Sequence, residues 1–322
     1  MSRIHEALKK AEQELAAGQV TEQIAPIETN FRDSVPRDGE PAIARGLAIA
    51  AGQSGPARST DFLRFDDLRK CCAHPHWHLD PDLNVFSNSN SGRHGAEQFR
   101  TLRSRLRQLC AKQPLKTLLV TSAIPGEGKT FVTNNLAQAI VRQPDRRVLI
   151  IDADLRCPRL HVPLGAPLSP GLTDYLRGEA DEMEIIQNGD EGNLCVIAGG
   201  NEAPDPSELL SNGRLKMLLD RLMPVFDWVI LDSPPCLPVA DASILADLCD
   251  GVLMIVRAGS TPSEVAQKAC QKMPSGKLIG VVLNAADKEQ AYGSYYHQSY
   301  GYSLRDTSRE SDRVPGKATT IV

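Results

Sequence analysis

No apolar run in the chain reaches the ~18–20 residues that a membrane-spanning helix needs. A signal peptide is not expected at the N-terminus given, which mixes Arg3, Glu6, Lys9 and Glu12 and has no apolar core. There is no basic surplus. A formal net charge of −4 over 322 residues gives no electrostatic case for nucleic-acid binding. The 8 cysteines follow no disulfide or metal spacing, and Cys195, Cys249 and Cys270 fall in apolar segments. Without a secretion signal, reduced thiols in a cytoplasm are expected. Cys71, Cys72, His74, His76 and His78 crowd one stretch, but their order matches no structural zinc pattern, and a solvated linker end is expected there.

What is present is a stretch around which the rest is ordered. Ser122-Ala-Ile-Pro-Gly-Glu-Gly-Lys-Thr130 follows the apolar run Thr117–Thr121 and precedes a helical pattern from Thr130 to Arg142. Strand, glycine loop and helix make the setting of a phosphate-binding loop. Gly126 and Gly128 let the backbone curl and aim N–H groups at a phosphate, with the helix N-terminus behind them. Pro125, Glu127 and Phe131 complete the expected nucleotide-contacting stretch. Lys129 is expected to be solvated until it reaches the β- and γ-phosphates, and Thr130 to ligate Mg²⁺. Two departures stand out: Ala123 occupies the first glycine position of the generic loop, and Ile124 stands where partitioning and septum-site ATPases carry a second lysine.

Two further strand ends follow. Val148–Ile151 is a buried parallel strand that closes in Asp152-Ala-Asp154-Leu-Arg156. Asp152 and Asp154 point the same way if the strand continues, which pairs them near the metal. Trp228–Leu231 repeats the pattern and ends in Asp232-Ser-Pro-Pro235, similar to a Walker B element whose aspartate holds Mg²⁺. Strands are also expected at Leu194–Ala198, Gly251–Val256 and Lys277–Leu283. Helices are expected at 95–112, Gly171–Leu176, Pro206–Met223 and Pro262–Lys272. Strands and helices alternate over 95–285, so the expected fold is α/β, a doubly wound, mostly parallel sheet of the P-loop NTPase type.

The flanks differ. Residues 2–17 form a short amphipathic helix, either an arm or a docking helix for a partner. Residues 18–80 are proline- and glycine-punctuated and read as a mostly disordered linker, with a short helix near Asp61–Lys70. The α/β domain is then 81–286. The tail, 287–322, is flexible in this reading and holds Tyr292, Tyr295, Tyr296, Tyr300 and Tyr302, five of the chain's 6 tyrosines.

Five features in this order resemble the bacterial tyrosine kinases of exopolysaccharide and capsule synthesis. They are the Glu97-x-x-Arg100-x-x-Arg103 helix, the Pro-Gly-Glu-Gly-Lys-Thr loop, the Asp-x-Asp-x-Arg strand end, the Leu-Asp-Ser-Pro-Pro strand end and the tyrosine tail. The resemblance covers about 95–302. It implies an ATP- and Mg²⁺-dependent tyrosine autokinase with Lys129, Asp152, Asp154 and Asp232 as catalytic groups, and Thr130, Asp152 and Asp232 around the metal. It places Asn284 at the adenine, the tail tyrosines as acceptors in trans, and Glu97, Arg100 and Arg103 in self-association into a homo-oligomeric ring. Asp152 or Asp154 takes the tyrosine proton. The resemblance also implies a membrane chain-length regulator (a polysaccharide co-polymerase) as activator, a separate phosphatase, and a cytoplasmic protein recruited to the inner face of the plasma membrane. The competing readings are a partitioning-type ATPase and a nucleotide-gated scaffold of a polysaccharide assembly complex.

Overall fold

The computed structural model describes residues 64–87, 93–189, 192–286 and 318–321. The expected N-terminal helix, most of the linker and the five tail tyrosines lie outside them. In chain order the elements begin with α1 (Phe65–Cys71), α2 (Arg93–Cys110), β1 (Thr117–Ser122), α3 (Lys129–Val141) and β2 (Val148–Asp152). Then come α4 (Leu172–Arg177), α5 (Glu182–Ile185), β3 (Ile186–Asn188), β4 (Leu194–Ile197), α6 (Pro206–Ser211), α7 (Arg214–Leu222) and β5 (Trp228–Asp232). α8 (Asp241–Leu248), β6 (Gly251–Arg257), α9 (Ser263–Lys272), β7 (Leu278–Ala286) and β8 (Ala318–Ile321) close the order.

The sheet runs β3-β4-β2-β5-β1-β6-β7-β8. β4, β2, β5, β1, β6 and β7 are parallel, and only β3 and β8, at the two edges, pair antiparallel. β1 and β2 are buried along their whole lengths, as strands covered on both faces must be. Side chains alternate between two cores. Leu118, Val120, Val148 and Ile150 pack with Phe99, Leu102 and Leu106 of α2 and Leu136 and Ile140 of α3. Leu119, Leu149, Ile151 and Leu231 face the other way, onto Leu215, Leu218 and Leu222 of α7 and Leu245 of α8. The doubly wound sheet expected from the sequence is therefore the fold. The helix expected over Pro206–Met223 is two helices, α6 and α7, broken at Asn212-Gly213, where Gly213 adopts φ +82°.

One boundary differs from expectation. The ordered unit begins before residue 81, because residues 64–87 pack onto the sheet. Phe65, Leu68, Cys72 and Trp77 are buried. Phe65 meets Phe226 edge-on at 5.6 Å, under the Arg147 guanidinium at 4.8 Å. Ala73 bridges to Gln187 of β3, and its carbonyl accepts the Asn188 N–H at 2.8 Å. The Cys71–His78 stretch is thus not a solvated linker end. Its composition looked like a linker because apolar anchors spaced this widely show no helical or strand period. Cys72 Sγ lies 3.9 Å from His74 Nε2, but no group of three or more metal-ligating side chains forms among the described residues.

If residues 64–87 are part of the folded unit, Phe65→Ala removes a buried aromatic and lowers unfolding free energy by about 3–5 kcal/mol. A solvated linker position would change it by less than about 0.5 kcal/mol. Urea denaturation of the two chains decides between these.

Candidate active site

The register of β2 and β5 sets the chemistry. Asp152 and Asp232 end their strands and are direct partners across the pair. Parallel neighbours in register put their side chains on the same face, so two carboxylates stand side by side at the C-terminal edge of the sheet. Both are fully buried. Asp152 accepts hydrogen bonds from the N–H groups of Leu160, at 2.8 Å, and Asp154, at 3.2 Å. Asp232 accepts from the hydroxyls of Thr130, at 2.5 Å, and Thr133, at 3.3 Å.

The loop from β1 brings the cation. Lys129, at the start of α3, pairs with Asp154 at 2.9 Å and is only 16% exposed in its side chain. It is not the solvated residue expected from the sequence. Its isolation from water follows from the three carboxylates that surround it. Burial alone would lower the pKa of its ammonium, but the charges of Asp232 and Asp154 outweigh this and hold it above the ordinary value. Burial and the neighbouring Asp232 push Asp152 well above the usual carboxylate range. Burial raises Asp232 to about 6 against the opposing pull of Lys129 and the Thr130 hydrogen bond.

The loop backbone has the expected curl. Gly126 and Gly128 adopt φ +83° and +89°. A Cβ at Gly128 would lie 2.1 Å from Asn284 Nδ2, so that position admits no side chain without displacing Asn284. The two departures from the generic loop have packing reasons: Ala123 is fully buried, and Ile124 packs against the same core. Glu127 does not face the nucleotide side with its carboxylate. It turns inward and accepts from the N–H groups of Ile124, at 2.9 Å, and Arg257, at 3.2 Å, and from the Thr261 hydroxyl at 2.6 Å. Arg257 Nη1 donates to the Gly126 carbonyl at 3.0 Å, and Asn284 Nδ2 to the Glu127 carbonyl at 2.8 Å. The loop is therefore held from behind by the ends of β6 and β7.

A cavity of about 550 Å³ opens beside the loop. Pro125, Gly126, Lys129, Thr130, Phe131 and Asp154 line its near end. Asp152 and Asn284 do not line it. Glu97 and Arg100 are exposed on α2 and pair with each other at 2.9 Å. Arg103 instead turns inward and donates to the Ala139 carbonyl near the end of α3 at 2.5 Å. The sequence reading missed the support of Arg156. That guanidinium grips the buried Asp241 through two hydrogen bonds, at 2.7 and 3.1 Å, and also reaches Ser207. Asp241 starts a helix 85 residues downstream, and nothing in the local sequence marks it as a partner.

A buried carboxylate with a raised pKa costs stability when it ionises. The folded state keeps a proton on Asp232 up to about pH 6, whereas the unfolded chain releases it near 4. The ligand-free protein therefore loses stability as pH rises between these values, since the folded state binds more protons there. Asp232→Asn removes that slope, so the variant's melting temperature relative to wild type should rise from pH 4 to pH 6.5. A constant difference across the range would contradict the assignment.

No protein-family model matches the chain. It is 34% identical over 221 residues to the tyrosine-protein kinase YwqD of Bacillus subtilis, covering 68% of this chain and 90% of that one. Over 218 residues it is 33% identical to the tyrosine-protein kinase CpsD of Streptococcus agalactiae, covering 66% of this chain and 92% of CpsD. The putative tyrosine-protein kinase EpsB of Ralstonia nicotianae is 34% identical over 221 residues, but the chain spans only 29% of its length. Among solved structures, the kinase domain of Escherichia coli tyrosine kinase ETK aligns at 35% identity and TM-score 0.52, over 55% of this chain and 69% of that one. The chimerical protein CapA2B2 aligns at 26% identity and TM-score 0.58, over 65% and 91%. With its strand-end carboxylates, its phosphate loop and relatives covered almost end to end, the chain belongs to the bacterial tyrosine kinases.

Proposed function

We propose that the chain is an ATP-dependent tyrosine autokinase that phosphorylates its own C-terminal tyrosines in trans and thereby regulates exopolysaccharide or capsule polymerisation and export. The observation that carries this reading is the Lys129–Asp154 contact at 2.9 Å, beside Thr130 bonded to Asp232. Phosphoryl transfer needs positioned charge more than covalent help, and these groups supply it.

ATP seated on the loop draws Lys129 from Asp154 to its β- and γ-phosphates, which frees the carboxylate. The phenol oxygen of the acceptor attacks the γ-phosphorus in line, and the bond from that phosphorus to the bridging oxygen of ADP breaks. A phenol has an unperturbed pKa near 10, so a carboxylate must accept its proton during attack. Asp152 or Asp154 takes that proton, and the Asp154 N–H on the Asp152 carboxylate holds the two groups together. A hard cation with few protein ligands suits the donor set: a threonine hydroxyl and one or two carboxylates, with phosphate oxygens to complete it. Thr130 and Asp232, with Asp152 behind them, would hold Mg²⁺, which neutralises the charge on the triphosphate.

The acceptors are Tyr292, Tyr295, Tyr296, Tyr300 and Tyr302. Residues 2–17 dock on a membrane chain-length regulator, a polysaccharide co-polymerase that activates the kinase at the inner face of the plasma membrane. Exposed Glu97 and Arg100 contact a neighbouring subunit in a head-to-tail ring, a heterologous contact that closes when the rotation permits. Each phosphotyrosine adds roughly −1.5 to −2 charges, so a modified tail is repelled by the acidic site and the ring loosens. A separate phosphatase resets the cycle.

Incubation of the purified protein with labelled ATP and detection of phosphotyrosine separates an autokinase from a partitioning ATPase or a scaffold. Lys129→Met should lower phosphotyrosine at least about a hundredfold, and wild-type levels in a folded variant would end this reading. For the ring, light scattering after size exclusion should give an oligomer for the unphosphorylated chain. Arg100→Ala should give a smaller species, as should extensive phosphorylation of wild type. Arg100 is the clean test, because Arg103 also supports α3. An unchanged mass in both cases would sink the switch.

A further inference from the structure

The sheet has charged groups at both ends. At its C-terminal edge Asp152 and Asp232 close β2 and β5. At the opposite edge, where Val148 and Trp228 begin the same two strands, arginines gather. Arg103 and Arg107 lie one turn apart on α2, and Arg146 stands in the turn before β2. All three line a pocket of about 200 Å³. Leu115, Ile140 and Trp228 line it too; the first two are buried and Trp228 is half-buried, whereas Arg107 and Arg146 are exposed. The pocket therefore has an apolar floor and a cationic rim.

The charge there is unbalanced. Asp227 is the one carboxylate in the lining, and Cys110 and Gln143, the remaining members, are neutral. Both Asp227 oxygens are occupied, Oδ1 by Arg146 Nη1 and Oδ2 by the Arg147 N–H, each at 2.9 Å. Three guanidiniums thus face one satisfied carboxylate, in a chain whose net charge is −4. Burial and the like charges of Arg100 and Arg107 lower the pKa of Arg103 against the pull of Glu97, and an anion in the pocket relieves that repulsion. Arg103 and Arg146 each make their bonds to Ala139 and Asp227 through Nη1 alone. A guanidinium carries five N–H donors, so both keep donors for a ligand.

We propose that this pocket binds a phosphotyrosine side chain of the chain's own tail, at the edge of the sheet away from the site that makes it. The proposal rests on the autokinase reading and names where the product goes. A bare phosphate uses the arginines and leaves the apolar floor unused, and a flat anionic membrane surface does not enter a pocket. An aryl phosphate fits both parts: its ring lies against Leu115, Ile140 and Trp228, and its phosphate, at roughly −1.5 to −2 charges, meets the guanidinium forks. The distance is within reach. The two edges are one five-residue strand apart, about 15 Å, and the chain from Ala286 to Tyr302 spans up to about 50 Å when extended. A tail held here does not compete with unmodified acceptors for the kinase site.

The test uses the full chain with its five tail tyrosines changed to Phe, so that no tail of its own fills the pocket. The probe is a fluorescent peptide of residues 289–305 phosphorylated at Tyr302, followed by anisotropy. It should bind at least about tenfold more tightly than the unphosphorylated peptide. Arg107→Gln and Arg146→Gln, both at exposed positions, should each weaken it about tenfold or more, with melting temperatures checked alongside. Phenyl phosphate should displace it at lower concentration than inorganic phosphate, and saturating ATP should not displace it. Equal binding of the two peptides, or unchanged affinity in both variants, would overturn the proposal. So would displacement by ATP, which gives the phosphotyrosine to the kinase site, or equal competition by inorganic phosphate, which makes the pocket a general anion site. Vesicles of phosphatidylcholine with a third phosphatidylserine that bind wild type but not Arg107→Gln, while the peptide binds neither, would give the pocket to the membrane instead. None of these measurements involves phosphoryl transfer, so the autokinase reading still stands or falls on Lys129→Met in the otherwise unaltered chain.

Discussion

Two buried carboxylates in register at the ends of adjacent strands are the constraint on which the site depends. Asp152 and Asp232 are paired by the sheet itself, so neither can move away from the other without breaking the β2–β5 ladder. Like charges this close in a buried setting are costly unless countered. The counter-charge is Lys129, and its place is set by the curl of the loop and the start of α3. The Thr130 and Thr133 hydroxyls bond to Asp232, and the Leu160 and Asp154 N–H groups to Asp152. The ligand-free site is thus an electrostatic arrangement waiting for a cation and a polyanion, and its own lysine holds the gap.

Holding that loop takes more than its glycines. Glu127, inside the loop, is a staple whose carboxylate accepts from the Ile124 N–H of the same loop and from Arg257 and Thr261 behind it. Arg257 and Asn284 take loop carbonyls. These partners come from the ends of β6 and β7, so the phosphate cradle is fixed to the side of the sheet away from β2. On the β2 side Arg156 grips Asp241 and Ser207, and the hydrogen bonds keep the Asp241 carboxyl below its usual range although burial alone would raise it. The loop is thus held from the β6 and β7 side, the segment after β2 is held by Asp241, and Lys129 and Thr130 join the loop to Asp154 and Asp232.

The folded unit extends further toward the N-terminus than the family motifs do. Residues 64–87 contribute an aromatic anchor at Phe65, an edge contact at Ala73 and a cavity wall at Leu83. Relatives that the chain covers by about nine-tenths and relatives it covers by less than a third share the core. The activities of those longer proteins as wholes are not transferred by that overlap.

The sequence by itself determined the doubly wound class, the phosphate loop and the strand-end aspartates. Each is written in local order: a fully apolar run that ends in a charge, then glycines, then a helical period. It did not determine the facing of Glu127, which sits in the loop yet bonds to Arg257 and Thr261, more than 100 residues away. Nor could it pair Arg156 with Asp241, or turn Arg103 inward onto Ala139 while Arg100 stays outside. Residues 64–80, apart from a short helix near Asp61–Lys70, read as linker because their anchors have no period of their own; they are ordered by surfaces of β3, α3 and the loop after β2. Contacts between segments distant in sequence depend on where the sheet puts each strand end, and only the tertiary structure decided that.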